Sequence, residues 1–348
     1  MYRMLTKDRS SRPQRKRAPG GVTMEAVGRI AGVSQVTVSR ALSEPSRVSP
    51  DTLKRIQEAI RVTGFVPNAL AGALASQKSM LVSALVPSIT NIVYSSMIAA
   101  FNERMRVKGY QILLSQTGFD LNDEEALIAT HLSRRPDAVL LTGIHHSTQA
   151  RRMLLAAAVP VVEVWDITAT PIDICVGFSH VEAGRAAADF VIEAGYRRAA
   201  CVSAGDERAR RRQQAFIERF AQRHGQDVPA AAFDAPASLA NGRSGLSHLL
   251  DNHGFENGVV FCSSDLLAHG VLIEAHARGL AVPADIAVIG FGDQDYAANV
   301  DPSLTTVRVD REALGAAAAE AILSRLKRED RLENVVDIGF HIIRRNSA

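Results

Sequence analysis

At 348 residues, with 47% hydrophobic and 22% charged content, the chain is long enough for two or three folding units around sizeable cores and is neither disordered nor fibrous in composition. No apolar run approaches the ~20 residues of a spanning helix, and no apolar segment follows the basic N-terminus as a secretory signal requires, so a cytoplasmic protein without membrane contact is expected. The net charge of +3 is unevenly held: residues 1–78 carry 14 Lys/Arg against 5 Asp/Glu and the remainder 26 against 32, as expected of a small basic module that meets nucleic acid, or of a merely solvated basic face.

Residues 1–20 hold seven Lys/Arg and no hydrophobic period, and read as a disordered basic arm. Residues 21–66 read as a helical head with breaks at Gly32, 45–50 and 64–67. Within it, 22–42 divides into two short helices around Gly32. Thr23 and Ser34 are placed to cap them, their hydroxyls accepting orphan backbone N–H groups. Val27, Ala31, Val33 and Val38 are spaced to pack the pair together, which leaves Gln35, Val36, Thr37, Ser39 and Arg40 for the outer face. A second helix of this kind fits a DNA major groove, where Gln reads adenine, Arg reads guanine and Val meets a thymine methyl, while Thr37 and Ser39 suit phosphate. Each hydroxyl can equally be a solvated cap. Residues 67–79 form a connecting segment in which Leu70 and Leu74, four apart, share a helical face, which can pack against the following domain or a dimer mate or can drive an apolar wedge between base steps.

From residue 80 the runs LVSALVP, YQILLSQ, AVLLTG, VPVVEVW, ICVGF, RAACVSA, GVVFCSS and IAVIGF alternate with amphipathic stretches, among them 94–108 and 182–194. Val/Ile/Leu-rich strands separated by helices predict parallel sheets covered on both faces, here two doubly wound lobes, with a ligand cleft at the carboxyl ends of their strands. Arg208 and Arg212 are four apart, so their forked guanidiniums can share a helix face and take a carboxylate or phosphate, or can pair at the surface with Asp206 and Glu207. Arg210 and Arg211 read as surface residues. His145 and His146 follow a strand and can touch ligand or sit satisfied in a loop, and Trp165 is either a cleft wall or core. Cys175, Cys201 and Cys262 lack ligand spacing, so neither metal nor cofactor is expected. GxGxxG after a strand, GxxxxGK[ST], HExxH and GxSxG are all missing, which argues against an enzyme.

The stretches AGVSQVTVSRAL (31–42), VSPDTLKRIQEAIRVTGFVPN (48–68) and ALAGALASQKS (69–79) resemble the LacI/GalR family of bacterial transcription regulators, and the resemblance continues along the rest of the chain. It implies a helix-turn-helix domain at 21–66, a hinge helix at 67–79, and a periplasmic-binding-protein-like effector and dimerisation domain at 80–348. Its first lobe is expected at about 80–177 and 307–335 and its second at 178–306 and 336–348, with crossings near 176–179, 305–308 and 334–337. Carried over by position, Gln35, Val36 and Arg40 read base edges, Ser34, Thr37 and Asn68 hold the DNA backbone, and Leu74 wedges into the minor groove. Pro87, Ser88, Asn91, Tyr94, Arg212, Ser264 and Asp265 fall in the family's effector cleft, and Asp293 joins that set. The chain departs from the family pattern at four places: Ala26 where an acid is usual, Gly28 for alanine, Ser264 for asparagine, and Gly292 where an acid commonly grips sugar hydroxyls. The glycine should weaken its helix by about 0.5–1 kcal/mol.

Together with PSITNIVYS, VPVVEVWD and VGFSHVEAGR, the arginines make the chain resemble the gluconate-operon repressor subgroup, whose inducers are sugar acids. The expected protein is a homodimeric repressor that binds double-stranded operator DNA and is released by such an effector. Rivals are an activator or corepressor-dependent regulator, and a solute-binding receptor, against which the basic head counts. The ending IIRRNSA carries no leucine heptads, which favours a dimer over a tail-built tetramer.

Overall fold

The computed structural model describes residues 21–68, 78–118, 120–328 and 333–348. The expected basic arm and Leu70 and Leu74 of the expected hinge helix lie outside the described residues. The chain divides into two compact units, Met1–Gln77 and Lys78–Ala348.

In the first unit α1 (Met24–Ala31), α2 (Gln35–Ser43) and α3 (Pro50–Thr63) surround one small core. Thr23 Oγ1 accepts from Ala26 N, Ser34 Oγ from Thr37 N and Ser49 Oγ from Thr52 N, so each helix begins at a hydroxyl cap. Val27, Val38 and Ile56 are at most 1% exposed, and each such burial contributes roughly 1.5–3 kcal/mol. Arg55 donates to the Ala31 carbonyl at 3.1 Å, tying α3 to the end of α1. Gly28 corrects a sequence expectation. A Cβ there would sit 2.7 Å from the Val33 carbonyl oxygen, so the glycine lets the turn fold tightly onto α1, which offsets its helical cost.

The second unit holds two six-stranded sheets. The first, in the order β11-β5-β4-β3-β1-β2, is wholly parallel. It comprises β1 (Leu81–Val86), β2 (Gln111–Gln116), β3 (Ala138–Thr142), β4 (Val161–Val164), β5 (Ile174–Gly177) and β11 (Val335–Asp337). The second, β12-β10-β9-β8-β6-β7, comprises β6 (Ala199–Ser203), β7 (Ala230–Ala232), β8 (Gly258–Cys262), β9 (Ile286–Phe291), β10 (Thr305–Arg308) and the antiparallel β12 (His341–Ile343). All eight apolar runs read from the sequence are strands. The chain passes between sheets three times: after β5, after β10 and after β11.

Strands β1, β3, β4 and β5 are almost completely buried, as expected of parallel strands covered on both faces. The helices that cover the two sheets pack in close pairs: α4 (Ile92–Val107) with α11 (Arg311–Leu326) on the first, and α7 (His180–Glu193) with α8 (Glu207–His224) and α9 (Leu239–His253) with α10 (Asp265–Ala277) on the second. Each pair meets at glycine. A Cβ on Gly315 would lie 2.2 Å from the Met97 carbonyl oxygen, one on Gly184 2.3 Å from that of Arg212, and one on Gly270 2.8 Å from the Gly242 Cα. The Gly184 contact sets the height of α8, and hence of Arg212, above the second sheet.

Candidate functional site

In the head, α2 buries Val38 and Ala41 and turns Gln35, Val36, Ser39 and Arg40 to solvent, with Thr37 half-buried. Val36 is 66% exposed, leaving an apolar side chain on a polar face with no core to fill. Ser34 and Thr37 hydroxyls lie 3.0 Å apart at the cap, and Asn68 is exposed at the end of the described head. An exposed face carrying Gln, Val and Arg on the second helix of a tight helix-turn-helix has the donors and methyls needed for base edges.

In the second unit a cavity of about 610 Å³ lies between the two sheets, within the range of small-molecule sites. From the first lobe it is lined by Ser88, Asn91, Tyr94 and Trp165, from the second by Arg208, Arg212 and Ser264. The location follows from topology: strand order reverses between β1 and β3 and between β6 and β8, and the segments after β1, β6 and β8 form the walls. Four helices begin there, α4, α7, α8 and α10, capped by Asn91, Ser179, Asp206 and Ser264. Their N-terminal dipoles favour an anion.

Arg212 is 6% exposed. Its Nη1 donates to His180 Nδ1 at 2.8 Å and its Nη2 to the Ser263 carbonyl at 2.8 Å, while the guanidinium carbon lies 3.9 Å from the Phe291 ring centroid. Burial, with the Arg208 charge adding to it, pulls its pKa down to about 10, so it remains cationic at neutral pH without a carboxylate in contact. Arg208 donates to the Tyr94 hydroxyl at 2.9 Å. Among the described residues, the buried nitrogens Arg208 Nη1, Arg212 Nε and Trp165 Nε1 have no acceptor.

The first turns of α8 also reach the opposite lobe twice, Arg211 in an ion pair with the buried Asp166 and Glu207 with its carboxylate 2.9 Å from His145 Nε2. Arg211 is therefore a tie between lobes and not the surface residue its sequence context suggested.

Pro87, His145, Asp265 and Asp293, all expected at the effector, fall outside the lining. His145 is 56% exposed and engaged with Glu207. Asp265 is fully buried, accepting from Thr306 Oγ1 and from Gln294 N, because it fastens β10 and the β9 loop to α10. Asp293 is paired with Arg308 and Arg345 inside the second lobe. Conversely His180, Phe291, Ser263 and Gln294 line the cleft and were missed. His180 lies inside the VGFSHVEAGR run, where a lone histidine after a serine cap carries no distinguishing signal.

His146 is also absent from the cleft: its side chain is fully buried, 2.9 Å from Glu124 and 3.5 Å from Glu163. Burial alone would depress the imidazole, but the hydrogen bonds and charges of the two carboxylates outweigh it and raise the pKa from 6.5 to about 9. The link therefore contributes stability that is fully present below pH 6.5 and lost as pH rises through about 9. Melting temperature is expected to fall across that window by an amount equivalent to on the order of 3 kcal/mol. The His146→Gln variant should lose that slope, and an equal slope in the variant would assign it to other groups.

A family model described as bacterial regulatory proteins, lacI family, matches residues 23–68, and one described as periplasmic binding protein-like domain matches 188–348. The HTH-type transcriptional regulator GntR of Pseudomonas aeruginosa is 36% identical over 335 residues, 95% of this chain and 97% of that protein. The regulator of the same name from Escherichia coli K12 is 31% identical over 89% of this chain and 93% of its own. A crystal structure of a LacI-family transcriptional regulator from Silicibacter pomeroyi superposes with a TM-score of 0.87 at 32% identity, covering 94% of this chain and 99% of that one. The lac repressor dimer bound to operator shares the fold, with a TM-score of 0.82 at 23% identity over 94% of this chain and 99% of that one.

Proposed function

Because the chain belongs to the LacI family of DNA-binding transcription regulators, we propose that it is a homodimeric repressor released from its operator by a small sugar acid such as gluconate or a ketogluconate. Its relatives are regulators, not enzymes. Gln35, Val36 and Arg40 read bases, and Thr23, Ser34, Thr37, Ser39 and Asn68 hold phosphates. Two such heads on a two-fold axis match a pseudopalindromic site in cytoplasmic DNA.

The observation that carries the effector class is the trio of acceptorless donors in the cleft, Trp165 Nε1, Arg208 Nη1 and Arg212 Nε. A buried cation with no carboxylate in contact carries an uncompensated desolvation cost, and a ligand carboxylate offsets that cost through charge-assisted hydrogen bonds where a neutral sugar leaves it standing. The serine, asparagine and tyrosine hydroxyl and amide groups around the arginines suit the polyol tail. Effector that binds one arrangement of the lobes better than another lowers operator affinity by that difference.

Thermal unfolding in the presence of D-gluconate, 2-ketogluconate and the uncharged six-carbon polyol sorbitol tests the reading. A sugar acid at about a hundred times its Kd should stabilise the fold by about 2.7 kcal/mol, with sorbitol near zero. Equal shifts with sorbitol and the acids would remove the carboxylate from recognition.

A further inference from the structure

We propose that His180 is a positioning residue that aims Arg212 at the effector and couples it to the first crossing between the lobes; the inference rests on the reading of the cleft as an anion site. His180 is the first residue of α7, three positions beyond the end of β5. Its Nε2 is 2.7 Å from the Trp165 carbonyl, and its Nδ1 is 2.8 Å from Arg212 Nη1. A carbonyl only accepts and a guanidinium only donates, so both bonds exist together in one form of the ring, the neutral Nε2–H tautomer.

Packing fixes that ring further. The Phe178 centroid is 4.5 Å from it, and Phe291, which underlies Arg212, is 6.1 Å away. Burial, reinforced by the Arg212 and Arg208 charges, holds the imidazole well below the usual histidine range, so the neutral form persists through physiological pH. Trp165 directly follows β4 of the first lobe, and Arg212 stands on α8 of the second. The two bonds therefore span the lobes beside the crossing itself.

Both ends of this bridge face the ligand. On Arg212, Nη1 and Nη2 each make a bond and the buried Nε makes none, and Trp165 has its carbonyl committed and its Nε1 unused. Trp165 holds φ at +71°, the left-handed region that a side chain disfavours, and the His180 bond helps to fix the peptide there. An anion that engages Arg212 Nε and Trp165 Nε1 loads the bridge at both ends, and His180 transmits that load to the strand-to-helix crossing.

Two variants separate aiming from coupling. His180→Asn keeps an acceptor where Nδ1 stood and is too short to reach the Trp165 carbonyl, whereas His180→Phe keeps the ring packing and loses both bonds. Trp165 is the single tryptophan of the chain, so its fluorescence reports the site directly. Without ligand, acrylamide quenching should rise about twofold or more in both variants, since the indole's backbone anchor is lost. With D-gluconate as probe, the Asn variant should bind within about threefold of wild type and the Phe variant about thirtyfold or more weaker. The gluconate-driven loss of operator affinity, each protein measured against its own ligand-free state, should shrink about tenfold in the Asn variant.

Wild-type gluconate affinity in the Phe variant, or wild-type coupling in the Asn variant, overturns the proposal. If gluconate leaves the wild-type emission unchanged, the sugar-acid reading fails by itself. The quenching comparison still decides the role of His180, because quenching unchanged in both variants removes its hold on Trp165.

Discussion

Arg212→Met is expected to weaken sugar-acid binding about a hundredfold while leaving the melting temperature of the effector-free protein equal or higher. The first half follows from the loss of a charge-assisted contact in a dry cleft, worth about 3 kcal/mol, and the second from the state in which Arg212 sits. It is 6% exposed, held by a neutral imidazole and a carbonyl, with no carboxylate in contact. Methionine removes a buried cation that no carboxylate contacts, and that gain offsets the two neutral acceptors, His180 Nδ1 and the Ser263 carbonyl, that it leaves without a donor. A residue kept for folding alone would show the opposite pattern. Arg212→Lys should not rescue binding, because a single ammonium cannot satisfy His180 Nδ1, the Ser263 carbonyl and a ligand in the fork's geometry. Calorimetric titration with D-gluconate alongside thermal melts checks both halves; an unchanged Kd in the Met variant would remove Arg212 from effector recognition.

Arg40→Ala should abolish most preference for operator over scrambled duplex while leaving salt-sensitive nonspecific binding in place. Arg40 lies on the exposed face of α2, beside Gln35 and Val36. A bidentate arginine–guanine contact discriminates by about 1–3 kcal/mol, and a two-fold symmetric dimer makes it twice. The expected loss in specificity is therefore roughly thirtyfold or more. Fluorescence anisotropy on a duplex selected by the wild-type protein, repeated over several salt concentrations, separates the two components. The salt slope should drop by only a small amount, since other contacts to phosphate persist. A selective variant with a much shallower slope would instead make Arg40 a phosphate contact.

Periodicity and punctuation made much of this architecture legible in the sequence. The eight strand runs are bounded by Gly, Pro or polar residues, and serine and threonine in front of apolar-periodic stretches did act as caps at Thr23 and Ser34. β7 escaped notice because Ala230–Ala232 has neither β-branching nor alternation; its place is set by pairing with β6. Site residues were legible where chemistry and spacing coincided, as for Arg208 and Arg212 on one face of α8. They were not legible where function depends on which way a side chain turns. Asp265 begins α10 beside the cleft, yet its carboxylate points inward to Thr306. Asp293 follows the cleft-lining Gly292 but is drawn to Arg308 and Arg345. His180 and Trp165 are fifteen positions apart and meet Arg212 only through the crossing of two helices and a strand end, which no local pattern encodes.

The glycine seams between paired helices constrain how the sensor moves. Where backbone rests on backbone, as at Gly315 against Met97 or Gly242 against Gly270, sliding one helix along its mate meets an immediate steric wall. Such close packing leaves little room for shear within a lobe, so motion is expected to concentrate at the three interlobe strand passages. Each lobe then behaves as a stiff plate, so a sub-ångström adjustment at the cleft becomes an angular displacement that grows with distance from the pivot, which is the geometry of a lever.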